Sequence, residues 1–463
     1  MSFSSITFIF LFLPIALILY YISPKKAKNY VLFGVSLIFY ALGEIMHLPV
    51  LLAILIVNYF CARGIEKFEK RKHLHRLMLA IPLVVTLGLL FVFKYMDFFS
   101  ENINSLFPLN IPILGLALPL GIGFYALHAL SYTLDVYRKN AYAESHFIDI
   151  ALYMSFFPQL FPSTVVHYRD MNPQLRKRPV TSSDLDSGIE DFIIGLARKV
   201  IIANNLAVLW QEVNEIGLAA ISTGLVWLSI VAFGLQIYFE FSGYAQMAVG
   251  LAKLFGFHLP KNFDDPYSAN SITNFWRRWN ISLGRWFREY IYIPLGGSRK
   301  KLGFTMLNLL LVWLLTGLWH GAALNFVIWG LYFFIFIIIE RLGFQGFLNK
   351  HKILSRFYVV LVLLVGWAIF ASTDFANMGL LLTKMFVPSF LNGDATVTIW
   401  YYLRNYAVTM LIAVFFSTSV STKLYAKLRQ NRVLRNIALI LLFLACLAYL
   451  VEPALNPFRF MGF

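Results

Sequence analysis

Charge is scarce in this chain. Only 13% of its 463 residues are Asp, Glu, Lys or Arg, against about 25% in soluble domains, while 59% are hydrophobic. So little charge excludes a water-soluble globule and leaves an all-α polytopic membrane protein. Cysteine is nearly absent: Cys61 and Cys446 both lie in or beside apolar runs. Two such residues exclude a disulfide framework and a cysteine-based zinc site, and no other metal ligand set stands out. Inert packing is the plain reading of Cys61, and acylation beside its basic loop is the alternative. Acidic residues number 23 against 39 basic ones, for a formal net charge of +16. That excess does not point to nucleic acid, because the basic residues fall in short loops between apolar runs, as cytoplasmic loops require. No polar stretch is long enough for a soluble domain. Residues 1–463 are therefore expected to form one transmembrane domain, with N-terminal helices over 1–110, a core over 111–340 and C-terminal helices over 341–463.

The apolar runs set the expected topology. Phe3–Ile22 has no basic residue before it and Lys25, Lys26 and Lys28 after it, so it reads as a first span with its N-terminus outside. Spans at Tyr30–Leu42, Leu48–Ala62, Leu77–Phe93 and Ile111–Leu134 come next, with a basic loop from Arg63 to Arg76 inside and Asp97–Asn110 outside. Asp135 and Arg138 stand three apart, the spacing of a helical ion pair. Phe147–Val166 is apolar but interrupted by Pro158 and Pro162 and dotted with Gln159, Ser163, Thr164 and His167. Irregular backbone at membrane depth survives only against protein or a water-filled cavity, so a re-entrant segment is expected here. Later spans bring the total to about twelve by the usual length of ~20 residues. Within Gln236–Gln246, polar residues alternate (Gln236, Tyr238, Glu240, Ser242, Tyr244, Gln246), which predicts a helix end broken at Gly243.

Two stretches carry candidate chemistry. In LTGLWHGAALNFVIWG, Leu315–Gly330, His320 stands in an apolar run near Trp319, Gly321, Asn325 and Trp329. Full charges at membrane depth cost roughly 2.5 to 3.5 kcal/mol on insertion scales, so an ionisable group there asks for a reason. One reason is a neutral imidazole hydrogen-bonded to a neighbouring helix. The other is a general base, since an imidazole with an unperturbed pKa near 6.5 accepts a proton around neutrality. Gly317 and Gly321 leave room for a backbone or a ligand. The second stretch is SITNFWRRWNISLGRWFREYIYIPLGGSRKK, Ser271–Lys301. On one helix, Phe275, Trp276, Trp279, Leu283, Trp286, Phe287 and Tyr290 share a face, and Arg277, Arg278, Arg285 and Arg288 share the other. Such a helix lies in the interface plane as an anchor, or its arginines receive a phosphorylated donor at the cytoplasmic face. Thr273 or Asn274 is the expected cap, and Pro294, Gly296 and Gly297 the expected end.

These stretches, with FKYMDFF (Phe93–Phe99), LPLGIGFYALHALSYTLDVYR (Leu118–Arg138), FPQL (Phe157–Leu160), HYRDMNPQL (His167–Leu175), EFSGYAQMAVGLAKLFGF and the closing NPFRF, resemble the membrane-bound O-acyltransferase family over most of the chain. The resemblance is to the branch that O-acetylates alginate and peptidoglycan and, more distantly, to D-alanyl transfer onto teichoic acid. FPQL alone is weak, whereas FWRRW followed by WHG and WG is specific. The resemblance implies a ring of tilted helices, with re-entrant and interfacial helices around a thin centre, and a family histidine, His320, near the constriction. It also implies a cytoplasmic acyl thioester and an acceptor outside.

On this resemblance the chain is expected to take acetyl from acetyl-CoA at the inner (cytoplasmic) membrane and pass it outward to O-acetylate a polysaccharide. His320 is the expected general base, and no bound cofactor is expected. Trp276, Arg277, Arg278, Trp279, Asn280, Trp319, Asn325, Tyr244, Gln159 and His167 are the expected substrate contacts. The expected partners are membrane lipids and an extracytoplasmic SGNH-type acetyltransferase. D-alanyl transfer from a carrier protein and transport of an activated group or lipid without chemistry are the alternatives. Two positions depart from the family pattern. Asn280 replaces a second histidine common after FWRRW, and FPSTVVHYRD replaces a Gly-Pro and basic-Tyr-Arg arrangement, with His167 at the basic position. Asn280 is no base but still donates and accepts hydrogen bonds, and His167 is a candidate to compensate for it.

Overall fold

A computed structural model of the chain describes residues 1–107, 109–160, 164–388 and 394–451, with side chains described for all but 394–398. Pro162 and Ser163 of the interrupted segment and the closing NPFRF lie outside the described residues. The described residues are helical, without strands. Nine helical stretches among them are long and apolar enough to cross a bilayer. This is a multi-pass membrane protein. The described residues divide into two compact units, Met1–Phe192 with Ala245–Pro260, and Ile193–Tyr244 with those from Lys261 to Val451.

The first unit opens with α1 (Leu13–Ile22), which continues a wider turn from Phe8, then α2 (Lys28–Glu44) and α3 (Leu48–Lys67), joined through Ile45–His47. Next come α4 (Lys72–Lys94), α5 (Met96–Leu106), α6 (Ile122–Tyr137), α7 (Phe147–Ser155), α8 (Phe157–Leu160) and α9 (Tyr168–Arg176), and α10 (Ser182–Ala197) begins in it. The expected span Ile111–Leu134 starts late. Pro112 and Pro119, with Gly115 and Gly121 at positive φ, hold residues 109–120 out of helix until Ile122. Polar side chains bind α3, α4 and α6: Asn58 donates to Thr86 Oγ1 at 3.1 Å and accepts from Thr133 Oγ1 at 2.6 Å. In lipid such bonds replace the hydrophobic drive for helix pairing. The interrupted segment is broken as expected, but at Phe156 (ψ 112°), two residues before Pro158.

The second unit holds α11 (Asn204–Ile216), most of α12 (Thr223–Leu254), α13 (Ile272–Arg278), α14 (Ile281–Phe287), α15 (Leu302–His320), α16 (Leu324–Ile339), α17 (Gln345–Lys350), α18 (Lys352–Ala371), α19 (Phe375–Phe386), α20 (Asp394–Phe416), α21 (Ser419–Gln430) and α22 (Arg432–Val451). Two expectations need correction here. Helix α12 runs unbroken through Gly243. That glycine serves packing instead: a Cβ on it would lie 2.8 Å from the Gly195 carbonyl oxygen, so the close approach requires its absence. The stretch from Ser271 to Lys301 is not one amphipathic helix. It breaks at Trp279 and at Asn280, whose φ of 44° and ψ of 55° are left-handed, giving a helix of 7 residues and a second that starts at Ile281 and continues through a wider turn over Arg288–Tyr292. The reason is a loop docked into the break. Asn262 takes the N–H of Ile281 on its carbonyl at 3.0 Å and that of Ser282 on its side chain at 2.9 Å. The face segregation survives the break, with Phe275, Trp279, Leu283, Trp286, Phe287 and Tyr290 buried and Arg277 and Arg288 exposed. The cap is Ser271, whose hydroxyl accepts from the Asn274 N–H at 3.0 Å, rather than Thr273 or Asn274.

Candidate active site

His320 is the last residue of α15, and 8% of it is exposed. The helix stops because Gly321 turns to extended backbone (φ −162°, ψ 155°), and Leu324 opens α16 three residues later. The two helices then run back along each other. A Cβ on Gly317 would sit 2.2 Å from the Phe326 carbonyl oxygen, and one on Gly330 would sit 2.4 Å from that of Trp313. The glycines before and after His320 therefore admit a neighbouring backbone, which decides between the two uses the sequence left open for Gly317.

Aromatic rings enclose the imidazole. Trp319 and Trp329 each lie 5.0 Å from it, centroid to centroid, and Phe370 lies 5.6 Å away, all edge-on. A narrow, partly open cleft is lined by His320, Trp329, Trp367, Phe370, Trp279, Asn280, Ile237 and Phe241. Four segments of the second unit thus meet at one ring: α12, the α13–α14 break, the α15–α16 hairpin and α18. Trp279 is wedged between Trp367 at 5.2 Å and Phe275 at 5.4 Å, while Asn280 accepts from Asn262 Nδ2 at 3.1 Å.

The other expected contacts fall variously. Trp276 packs among Trp313, Trp329 and Phe333, behind the cleft wall. Asn325 is buried and donates to the Phe370 carbonyl at 3.1 Å, holding α16 to α18. The Oδ1 of Asn325 and the indole N–H groups of Trp276 and Trp329 are buried without a hydrogen-bond partner among the described residues. Arg277 is exposed, whereas Arg278 is half-buried and donates to the Asp264 carbonyl at 3.4 Å. A hydrogen bond from Lys261, with the charges of Lys261 and Arg278 beside it, holds the Asp264 carboxyl below the usual carboxylate range despite some burial. Tyr244 is buried in the second unit, its ring 5.9 Å from the Lys199 ammonium, which pairs with Glu240 at 2.7 Å. Gln159 and His167 belong to the first unit. Both are buried, and the His167 ring lies 3.5 Å from an Arg169 nitrogen.

Sequence reasoning missed Ile237, Phe241, Trp367 and Phe370. Nothing local marks them, since each stands in an apolar run and reaches the cleft only through helix packing. Among the described residues no group of three or more His, Cys, Asp or Glu side chains is placed to hold a metal ion. The cleft offers one imidazole, the indole N–H of Trp329, the Asn280 amide and an apolar lining. Such a set suits moving one proton at an uncharged carbonyl away from water.

The residues that line this cleft all lie within a stretch that matches a known family. The membrane-bound O-acyltransferase family profile matches residues 131–372. The chain is 36% identical over 403 residues to the probable alginate O-acetylase AlgI of Azotobacter vinelandii, covering 86% of this chain and 80% of that one. It is 37% identical to the peptidoglycan O-acetyltransferase of Helicobacter pylori, covering 73% and 70%. The teichoic acid D-alanyltransferase of Bacillus subtilis is 25% identical, over 46% of this chain. A profile spanning the α13–α18 cleft, together with relatives matched over most of their length, establishes that the chain is an O-acyltransferase and belongs to the membrane-bound O-acyltransferase family.

Proposed function

We propose that the chain moves an acetyl group from cytoplasmic acetyl-CoA across the inner membrane for O-acetylation of an extracytoplasmic polysaccharide, with His320 as the general base. The more similar relatives are named for O-acetylation of alginate and peptidoglycan, which favours acetyl over D-alanyl and a saccharide as final acceptor. The observation that carries the reading is the convergence of His320, Trp329, Trp279 and Asn280 on one cleft.

A thioester is already activated, so the protein has to bring a hydroxyl to it, take the proton and keep water away. The imidazole of His320 accepts the hydroxyl proton as the oxygen attacks the thioester carbonyl. The C–S bond then breaks, the thiolate leaves, and the imidazolium returns the proton to sulfur. An ester has formed, and no cofactor is consumed. Trp276, Trp319, Asn325 and the cleft residues Trp279 and Asn280 shape the pocket, Arg277 and Arg278 meet the phosphorylated end of the donor, and Tyr244 of the same unit is a further contact. An SGNH-type acetyltransferase outside the membrane accepts the group and places it on the polymer.

The test supplies radiolabelled acetyl-CoA to sealed membrane vesicles carrying the full chain and measures alkali-labile label. His320→Ala is expected to reduce incorporation by about 10²- to 10⁴-fold while the protein stays folded. Undiminished transfer by that variant overturns the base assignment. Label from a D-alanyl carrier protein but not from acetyl-CoA makes the chain a D-alanyl transferase instead.

A further inference from the structure

Trp279 and Asn280 stand at the break that ends a 7-residue helix, α13, too short to be stable by itself. What holds this helix is a carboxylate far along the chain. Glu340, just past the end of α16, is 1% exposed. One of its oxygens accepts the Ile272 N–H at 2.6 Å, and the other accepts that of Thr273 at 2.8 Å. The Tyr358 hydroxyl of α18 donates to the first oxygen at 3.2 Å. With Ser271 taking the Asn274 N–H, the first three N–H groups of α13, which a helix start leaves open, are all bonded. The negative charge also meets the positive end of the helix dipole.

The attachment points matter. Glu340 follows the helix that carries Trp329, and Tyr358 lies on the helix that carries Trp367 and Phe370. One buried carboxylate therefore fixes the start of α13 against two helices that line the cleft. We propose that Glu340 is a positioning residue for acyl transfer, setting where Trp279 and Asn280 stand relative to His320. This rests on the reading of His320 as the base. A carboxylate suits the task because it offers two acceptors and no donor. A glutamine would turn an N–H₂ toward an N–H and lose one of the two backbone bonds.

The test compares Glu340→Gln, Glu340→Asp, Tyr358→Phe and His320→Ala in the full chain in vesicles, with acetyl-CoA as donor. Glu340→Gln is expected to lower kcat by about 10- to 100-fold, as ångström-scale misplacement does, with KM for acetyl-CoA unchanged. Glu340→Asp restores part of that loss. Added to Asn280→Ala, Glu340→Gln costs little more, because both act through the same turn. Where Glu340→Gln does not accumulate, Tyr358→Phe removes one bond of three and is expected to lower kcat by a smaller factor at unchanged KM. Wild-type kcat in Glu340→Gln, or a loss that follows thermal stability and adds in full to Asn280→Ala, overturns the role. A chain that keeps transfer after His320→Ala takes down the functional reading beneath it, whereas one that needs His320 and ignores Glu340→Gln takes down only this inference.

Discussion

Asn280 sits at φ 44° and ψ 55°, in the left-handed region where asparagine and histidine are enriched among residues with a side chain. A histidine, the residue the family pattern commonly has there, meets the same backbone demand. Backbone and side-chain roles separate by substitution. Asn280→Gly keeps the turn and removes the amide, so its thermal unfolding should stay near wild type while acetyl transfer falls. Asn280→Val should lose about 1 to 2 kcal/mol of stability, because a branched side chain is strained at positive φ. Equal unfolding temperatures for the two variants would sink the backbone argument. Trp329 allows a parallel test. Trp329→Phe keeps a ring against His320 but removes a buried N–H without a partner among the described residues. Packing lost at this buried ring should lower stability by about 1 to 3 kcal/mol, and transfer should fall at least about tenfold if that N–H meets charge developing on the carbonyl. His320 was legible in the sequence because a histidine amid apolar residues is expensive and sits between tryptophans and glycines. Glu340 was not. It reads as the first charge after an apolar run, and only its approach to Ile272 and Thr273 reveals its use.

The hairpin of α15 and α16 depends on two absent side chains. Gly317→Ala would drive a methyl group to 2.2 Å from a backbone carbonyl that cannot swing aside, and the helices would have to separate. The expected loss is about 1 to 3 kcal/mol, with acyl transfer falling as His320 moves from Trp329. Gly303→Ala, on the same helix with nothing within 4 Å of the new atom, should be neutral. Thermal unfolding of both variants in detergent decides the matter, and equal behaviour would remove close packing as the reason. In the first unit, Glu144 is a second buried carboxylate that organises a loop. Burial pushes its carboxyl upward, but the His146 and Ser145 N–H groups, Arg176 at 3.0 Å and the Tyr168 hydroxyl at 3.2 Å outweigh that and hold it below the usual range. A carboxyl depressed in the folded state stabilises above its unfolded pKa and loses that stabilisation as pH falls through the folded one. Unfolding scans from neutral pH to below about 4, the carboxylate range, should show a drop on the acid side that Glu144→Gln makes smaller. Helix existence was largely legible from the apolar runs. The break at Asn280 was not, because the face pattern of Ser271–Lys301 continues across it and only docking of Asn262 interrupts the backbone.

Lipid exposure distinguishes the spans across the chain. In their most apolar windows, α12 is 67% buried whereas α4 is 11% buried, so few side chains of α4 are fully enclosed. Hydropathy marks both alike, which is why sequence finds spans but not their neighbours. Topology comes instead from the basic loops. A helix of 19 residues rises about 28 Å, close to the ~30 Å of a hydrocarbon core. On the proposed topology, the basic run Arg299–Lys301 that precedes α15 faces the cytosol, which would place His320 far along the helix from its cytoplasmic end. The proposed cytoplasmic thioester would then extend most of that depth, or α15 would tilt, and an outer hydroxyl would have the shorter path. The premise is that the basic loops face the cytosol, and single cysteines test it. Placed at the exposed positions Arg71, Lys350 and Lys427, they should react with a membrane-impermeant maleimide only from the cytosolic side. At Ser105 and Thr373, also exposed, they should react only from outside. The native Cys61 and Cys446 are buried and add little background. Labelling of Thr373 and Lys350 from the same side would mean that α18 does not cross, and the route of acetyl from one face to the other would have to be redrawn.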